Sequence, residues 1–91
     1  MEFEWDDDKF ATNLAKHKVS FEKALLIFDG PIMFHRDERQ DYGEARYVAT
    51  GESRGQFYVV IYTMRGSIVR IISARFGGRR DRKDYHSYFA S

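Results

Sequence analysis

The most constraining feature of this 91-residue sequence is the stretch from Ile68 to Arg75, in which β-branched and small residues enclose two arginines. Such a composition predicts a strand that is buried on both faces. Because side chains alternate across a strand, the pattern predicts that Arg70 and Arg75 lie on opposite faces. A charge on an apolar strand needs an ion-pair partner or a ligand at the rim of the sheet. These arginines are therefore the first candidates for a functional site.

A basic helix is predicted to follow this strand. Gly77 and Gly78 break the strand, and Tyr85, Tyr88 and Phe89 then recur at helical spacing. Between residues 70 and 83 there is one acidic residue against six cations, namely Arg70, Arg75, Arg79, Arg80, Arg82 and Lys83. This density of positive charge favours a polyanionic partner.

The net charge of +1 conceals a division along the chain. Residues 1–45 carry six Lys or Arg and eleven Asp or Glu, which gives a net charge of −5. Residues 46–91 carry nine Lys or Arg and three Asp or Glu, which gives a net charge of +6. Either the basic half binds a polyanion or an acidic protein, or the two halves neutralise one another within the fold.

Length and composition limit the class of protein. We expect one domain over residues 1–91. The absence of cysteine excludes a disulfide framework and a thiolate metal site. No stretch approaches about 18 apolar residues, and the N-terminus is acidic where a signal peptide would be positive. The expectation is a cytoplasmic protein that does not associate with a membrane.

Hydrophobic periodicity predicts an α+β fold. In the first helix, which runs to about Lys18, the apolar stripe is Phe10, Leu14 and His17, and a second helix runs from its cap at Ser20 to Phe28. Strands are predicted at 3–5, 32–36, 45–50, 56–64 and 68–75, with an exposed loop at 37–44. The later strands are joined by short turns, so we expect an antiparallel meander with two N-terminal helices and one C-terminal helix.

Several kinds of active site are excluded by the residues present. His17, His35 and His86 are far apart and have no companions at metal-ligand spacing, so no metal is predicted. Gly77 and Gly78 lack the Lys-Ser/Thr of a phosphate-binding loop, and there is no serine nucleophile elbow. No cofactor is predicted.

Cleavage of RNA through its own 2′-hydroxyl fits the remaining residues, because it needs only cations around the phosphate and groups that move two protons. The candidate phosphate ligands are Arg70, Arg75 and Arg79, and the candidate proton carriers are Lys16, His17, Glu44 and Tyr85. Structural roles remain open for the same residues. His17 and Tyr85 could be core residues, Arg46 and Arg70 could pair with acids of the first half, and residues 79–83 could be a solvated helix face.

A set of short motifs is spread over nearly the whole chain: Phe3-Glu-Trp-Asp6, Asn13-Leu-Ala-Lys-His17, Val19-Ser-Phe21, Ala24, Phe28-Asp29, Glu44-Ala-Arg46, Gly51, Arg70-Ile-Ile-Ser-Ala-Arg75, Arg79, Arg80 and Tyr85. In these motifs and their order the sequence resembles the BrnT family of type II toxins. The resemblance implies a RelE-like ribonuclease fold and RNA cleavage that blocks translation. It also implies neutralisation by a BrnA-type antitoxin with a ribbon-helix-helix region, through which the complex would reach operator DNA.

The resemblance also implies a set of site residues. By position, the family's basic and polar residues fall on Lys16, His17, Glu44, Arg46, Arg70, Arg75, Arg79 and Tyr85. Arg79, Arg80, Arg82 and Lys83 are then expected to bind RNA. Where the family usually has Ala-Thr-Arg-Arg-Glu, this chain has Gly77-Gly78-Arg-Arg-Asp81, which shortens an acid that would orient an arginine. The alternative function is a weakly active toxin fold that serves mainly as antitoxin partner and co-repressor.

Overall fold

The computed structural model describes residues 1–90, which form three α-helices and one five-stranded sheet. The elements are β1 (Glu2–Trp5), α1 (Asp7–His17), α2 (Phe21–Ala24), a 3-10 helix (Leu25–Asp29), β2 (Met33–Arg36), β3 (Tyr47–Ser53), β4 (Gln56–Arg65), β5 (Ile68–Phe76) and α3 (Arg79–Ala90). The predicted α+β class is confirmed. Across the described residues, no helix is long and apolar enough to span a membrane.

The strands lie in the order β1-β5-β4-β3-β2, β3 to β5 form the predicted antiparallel meander, and β2 adds a further antiparallel strand to it. The prediction of a wholly antiparallel sheet is wrong, because β1 pairs in parallel with β5 and Phe3 lies opposite Val69. Parallel neighbours need a long crossover between them. Here every element between β1 and β5 belongs to that crossover, so the sheet is mixed and β1 and β2 form its edges.

Polar caps begin both N-terminal helices. Asp6 accepts hydrogen bonds from two backbone N–H groups in the first turn of α1, and Ser20 accepts one in α2. The second helix is shorter than predicted, because the chain tightens into a 3-10 helix at Leu25. In that helix Ile27 packs against Gly51, where an added Cβ would lie 2.9 Å from the Ile27 Cβ.

The two faces of the sheet differ in character. The core face packs against α1 and α2 and buries Ala49, Val60, Tyr62, Val69, Ile71 and Ala74 together with Phe21, Ala24 and Ile27. The opposite side, called the arginine face here, presents Val48, Val59, Ile61, Arg70 and Arg75. At one end of the arginine face α3 packs over β4, with the Tyr85 and Phe57 ring centroids 5.2 Å apart.

One extra residue in β5 interrupts the regular alternation of its side chains. Ser73 lies opposite Ile61 and Ile71 lies opposite Tyr62, which leaves Ile72 without a partner on β4. An unpaired residue of this kind is a β-bulge, and it shifts every later side chain of the strand by one position.

The bulge brings both arginines of β5 to one face. Arg70 lies opposite Thr63 and Arg75 lies opposite Val59, and these two β4 residues are on the same side of their strand. The prediction that Arg70 and Arg75 occupy opposite faces is therefore wrong. It failed because it assumed an unbroken ladder between residues 70 and 75.

A buried asparagine completes the edge of β5 where β1 ends. The pairing with β1 stops at Ile71, and beyond it Asn13 of α1 replaces a neighbouring strand. The Asn13 Nδ2 donates to the Ala74 carbonyl (2.8 Å) and the Val19 carbonyl (3.1 Å), while its Oδ1 accepts from the Ala74 N–H (3.0 Å) and the Ser73 hydroxyl (3.3 Å). These bonds attach α1 directly to the strand beside the bulge.

The buried side of α1 differs from the prediction. Phe10 packs against the core and His17 is half-buried, but Leu14 is 42% exposed and the buried position is taken by Asn13. The helix is oriented with Asn13 facing inward because the Asn13 amide hydrogen-bonds to the edge of β5 at Ala74.

Asn13→Ala should lower the free energy of unfolding by about 2 to 4 kcal/mol, because it leaves the buried N–H and carbonyl of Ala74 without partners. Urea unfolding followed by circular dichroism measures this change. Thr12→Ala, on an exposed neighbour, is the control and should stay within about 0.5 kcal/mol of the wild type. Equal midpoints for the two variants would contradict the structural role of Asn13.

Candidate nucleic-acid interface

Each of the two guanidinium groups on the arginine face holds a carboxylate from another element. Arg70 forms an ion pair with Glu4, its direct neighbour on β1, and Arg75 forms one with Asp81 of α3. All four side chains remain partly exposed to solvent. A guanidinium has five N–H donors, so each arginine retains donors for a further anion.

A groove of about 570 Å³ runs across the arginine face. Its floor is apolar and includes Val48, Val59 and Ile61. One wall is formed by Arg75 with the acids of α3, and the other is formed by β2 and the segment after it. The remaining lining residues are Met33, His35, Arg36, Asp37, Glu38, Arg39, Thr50, Asp81 and Asp84. The groove therefore has cations and carboxylates around a nonpolar floor.

Asp81 joins the strand arginine to the start of the last helix. Its carboxylate accepts from Arg75 Nη1 (2.8 Å) and Nη2 (3.3 Å), and also from the Gly78 N–H (2.8 Å). Gly78 is the N-cap, since its carbonyl accepts the first helical bond, and the carboxylate satisfies its otherwise free N–H. The hydrogen bond from Arg75 is the main cause that lowers the pKa of Asp81 below its ordinary value.

The turn that precedes α3 depends on glycine. An added Cβ at Gly77 would lie 2.8 Å from the Phe57 Cβ, closer than real side chains approach, and the Gly77 N–H donates to the Phe57 carbonyl (2.8 Å). This contact fixes the distance between β4 and the first turn of α3, and so it sets where Asp81 meets Arg75.

A second charged cluster surrounds Glu44. Its carboxylate lies 3.8 Å from both Arg46 and Arg65, and the Arg46 guanidinium stacks over the Tyr42 ring at 4.1 Å. The Arg46 Nε is buried and donates no hydrogen bond to any residue from 1 to 90. Arg46 and Arg70 therefore contact Glu44 and Glu4, which are acidic residues of the first half of the chain. This is the arrangement expected if the two arginines have a structural role.

The loop at 37–44 is organised by Asp37, which is buried at its start. Arg39 donates two side-chain hydrogen bonds of 2.8 Å to the Asp37 carboxylate, and the Tyr42 hydroxyl donates a third of 3.3 Å. The bond from Arg39 is the main cause that lowers the pKa of Asp37 to about 2. This charged loop is therefore held in one arrangement beside the groove.

Lys16 and His17 lie together in a separate cleft of about 320 Å³ between α1 and β5. The cleft is also lined by Ile72 and Ser73, the residues at the bulge. Its other lining residues are Asp8, Lys9, Thr12 and Asn13. The two candidate proton carriers therefore flank the part of β5 that lies between Arg70 and Arg75.

The predicted residues of α3 divide into a packed one and a set of exposed cations. The Tyr85 hydroxyl donates to the Pro31 carbonyl (3.0 Å), and its ring packs on Phe57, as the core alternative proposed. Arg79, Arg80, Arg82 and Lys83 are exposed. Of these, Arg80 lies 4.0 Å from Asp84, and the other three form no ion pair with any residue from 1 to 90.

The predicted site residues thus fall into separate groups: Arg70 and Arg75 on β5, Lys16 and His17 in the cleft beside β5, Glu44 and Arg46 in a cluster of their own, and Tyr85 with the exposed cations on α3. Two important residues, Glu4 and Asp81, were not among the predicted site residues. Asp81 was recognisable as the single acid within the run of cations, whereas only the parallel pairing of β1 brings Glu4 to Arg70. Across residues 1–90, no three His, Asp or Glu side chains are grouped in a way that could hold a metal ion.

Comparison of the sequence with family models and of the fold with solved structures points to the same family of proteins. The family model described as "Ribonuclease toxin, BrnT, of type II toxin-antitoxin system" matches residues 5–81. Among solved structures, this chain is similar to the crystal structure of the Brucella abortus ribonuclease toxin BrnT, with a TM-score of 0.70 and 28% sequence identity. That match covers 87% of this chain and 99% of the Brucella chain. No curated protein matches the sequence.

The lowered pKa of Asp37 predicts how the 37–44 loop responds to acid. The ion pair with Arg39 stabilises the folded state fully above the ordinary pKa of 3.8, and this contribution is lost as the pH falls through about 2. A carboxyl-carbon NMR titration should therefore find the Asp37 midpoint near 2. In Arg39→Gln the midpoint should rise towards 3.8. An identical midpoint in the two proteins would show that Arg39 is not the cause.

Proposed function

The chain belongs to the BrnT family of ribonuclease toxins of type II toxin–antitoxin systems, and we propose that it is a metal-independent endoribonuclease that inhibits translation by cutting RNA. Membership implies an antitoxin partner and an RNA target. We further propose a RelE-like toxin domain over residues 1–91, neutralised by a BrnA-like ribbon-helix-helix antitoxin. Operator DNA would then be contacted only through the antitoxin.

The observation that carries the proposal is the presence of Arg70 and Arg75 on one face of β5. Four strand steps and a bulge separate them by about 13 Å of strand, so they suit two different phosphates of one RNA strand better than a single phosphate. Guanidinium forks bind phosphate oxygens in two-pronged fashion. The apolar floor of the groove lies beside them on the same face.

The proposed reaction uses the RNA's own nucleophile. The 2′-oxygen attacks the adjacent phosphorus while a base accepts the 2′-hydroxyl proton, and the bond from phosphorus to O5′ then breaks as an acid donates a proton to O5′. The products are a 2′,3′-cyclic phosphate and a 5′-hydroxyl end. An arginine beside the scissile phosphate stabilises the additional negative charge that develops on its oxygens.

The geometry supports Lys16 and His17 as proton carriers over Tyr85. Both line the cleft at the edge of β5 beside Ile72 and Ser73, which lie between Arg70 and Arg75 along the strand, and an amine or an imidazole can carry a proton in general acid–base catalysis. The Tyr85 hydroxyl already donates a hydrogen bond to the Pro31 carbonyl. Glu44 lies in its own cluster with Arg46 and Arg65, which favours a role in holding Arg46.

The exposed cations of α3 are proposed to bind the RNA backbone beyond the cleavage point. Arg79, Arg82 and Lys83 have solvent-exposed side chains at the start of the helix that carries Asp81. Each phosphate contact on a single strand should contribute about 0.7 to the slope of log K against log salt. These residues therefore add affinity without selecting a sequence.

A second candidate function is favoured by the carboxylates on Arg70 and Arg75. Because Glu4 and Asp81 already neutralise both guanidiniums, RNA must share or replace these partners. A protein in which the internal pairs persist would cleave weakly and would act mainly as antitoxin partner and co-repressor. The two functions differ in whether the purified protein cuts RNA.

Purified protein should cleave single-stranded RNA in the presence of EDTA and leave 2′,3′-cyclic phosphate and 5′-hydroxyl ends, detected by mass spectrometry of the fragments. Arg70→Ala and Arg75→Ala should each reduce the cleavage rate by about 100-fold or more, because each removes a guanidinium that positions or neutralises a phosphate of the bound strand. Arg54→Asn is the matched control, since it removes an arginine from the β3–β4 turn and Asn tolerates its positive φ of 52°.

Full activity in both arginine variants, with folding unchanged, would rule out the proposed mechanism. A wild-type protein that binds its antitoxin but leaves RNA intact would favour the second function. Cleavage that disappears in EDTA and returns with a divalent cation would contradict metal independence.

A further inference from the structure

Two adjoining hollows lie outside the proposed RNA site, at the end of the core face where α1, α2 and the ends of β4 and β5 meet. The first is lined by Leu14, Lys18, Lys23, Tyr58 and Phe76, and has a volume of about 350 Å³. The second shares Lys23 and Tyr58 with the first, is closed by Leu26 and Arg54, and has a volume of about 220 Å³. Together they are called the basic groove here.

The charge of the basic groove is entirely positive. Lys18, Lys23 and Arg54 line it, and none of its lining residues is an Asp or Glu. By contrast, the α1–β5 cleft and the groove of the arginine face each include at least one carboxylate in their linings. Cations without internal acidic partners favour a ligand that brings negative charge of its own.

The basic groove also exposes apolar side chains that a folded monomer normally buries. Leu14 is 42% exposed and Phe76 is 45% exposed, and both line the same hollow. The Phe76 ring lies 5.6 Å from that of Tyr58, which is itself buried, so the exposed ring continues the core to the surface. Grouped exposed apolar side chains with a polar rim are typical of protein-binding sites.

We propose that the basic groove is a docking site for an acidic segment of the antitoxin, which inserts apolar side chains between Leu14 and Phe76 and places carboxylates beside Lys18 and Lys23. The proposal rests on membership of a toxin–antitoxin family and does not require RNA cleavage. The groove lies across the sheet from Arg70 and Arg75, so this contact leaves their face open.

A protein segment fits the groove better than RNA does. Leu14 and Leu26 are aliphatic and suit aliphatic anchors of a peptide, and of the two aromatic side chains in the lining Tyr58 is buried, so Phe76 alone among the lining residues offers an exposed ring for base stacking. Moreover, Leu14 and Lys18 line a different hollow from Lys16 and His17, which line the cleft beside the bulge.

The test uses the full chain and its cognate antitoxin, co-expressed, purified and then separated for calorimetric titration. Lys23→Glu, which reverses the charge of the cation that lines both hollows, should weaken antitoxin binding by about tenfold or more. Leu14→Ser should also weaken it, because it removes an apolar anchor without changing charge. Lys9→Glu reverses a charge elsewhere on α1 and should change the affinity by no more than about twofold.

RNA cleavage by Lys23→Glu and Leu14→Ser should equal that of the wild type, and so should their unfolding temperatures. Unchanged antitoxin affinity in both variants would overturn the proposal, and so would a loss of RNA binding in both with antitoxin affinity intact. If the wild-type protein cuts no RNA, the proposed function fails, but the antitoxin titration still decides whether the basic groove is the docking site.

Discussion

The unpaired residue Ile72 is the constraint on which this structure depends most. Without it, β5 would alternate regularly and its two arginines would project from opposite sides of the sheet. With it, both reach the arginine face. Asn13 of α1 bonds to the strand immediately after the bulge, through Ser73 and Ala74. The same irregularity therefore joins the helix to the sheet, brings Lys16 and His17 to the strand edge and aligns the guanidinium groups.

The positive charges at the candidate site are neutralised by neighbouring carboxylates, so RNA would have to compete with these carboxylates in order to bind. Arg70 and Arg75 carry carboxylates from the first strand and the last helix, and both pairs are partly exposed. Exposed pairs contribute little to stability, generally no more than about 1 kcal/mol, so a phosphate can compete for the same donors. The pairs hold the guanidiniums in one orientation, in which the proposed RNA site would already be arranged before RNA binds. The cations of α3 have fewer internal partners and supply attraction at longer range.

The sequence predicted the elements with strong periodicity and failed where a contact between distant segments decides the outcome. The meander, the Ser20 cap and the last helix follow from local patterns and were predicted. The parallel pairing of β1, the burial of Asn13 in place of Leu14 and the bulge at Ile72 all depend on how α1 meets β5. For the site, residue types pointed to Arg70 and Arg75, and Asp81 was expected to orient an arginine, but the shared face of the two arginines and the pairing of Glu4 with Arg70 required the fold.

A crystal structure of the protein with a short RNA that carries 2′-O-methyl groups, and so cannot be cut, tests the central claim most directly. The account predicts one strand across β5, with the Arg70 and Arg75 guanidiniums within hydrogen-bond distance of two different phosphates and the pairs with Glu4 and Asp81 shared or broken. RNA bound elsewhere, with both internal pairs intact, would contradict it.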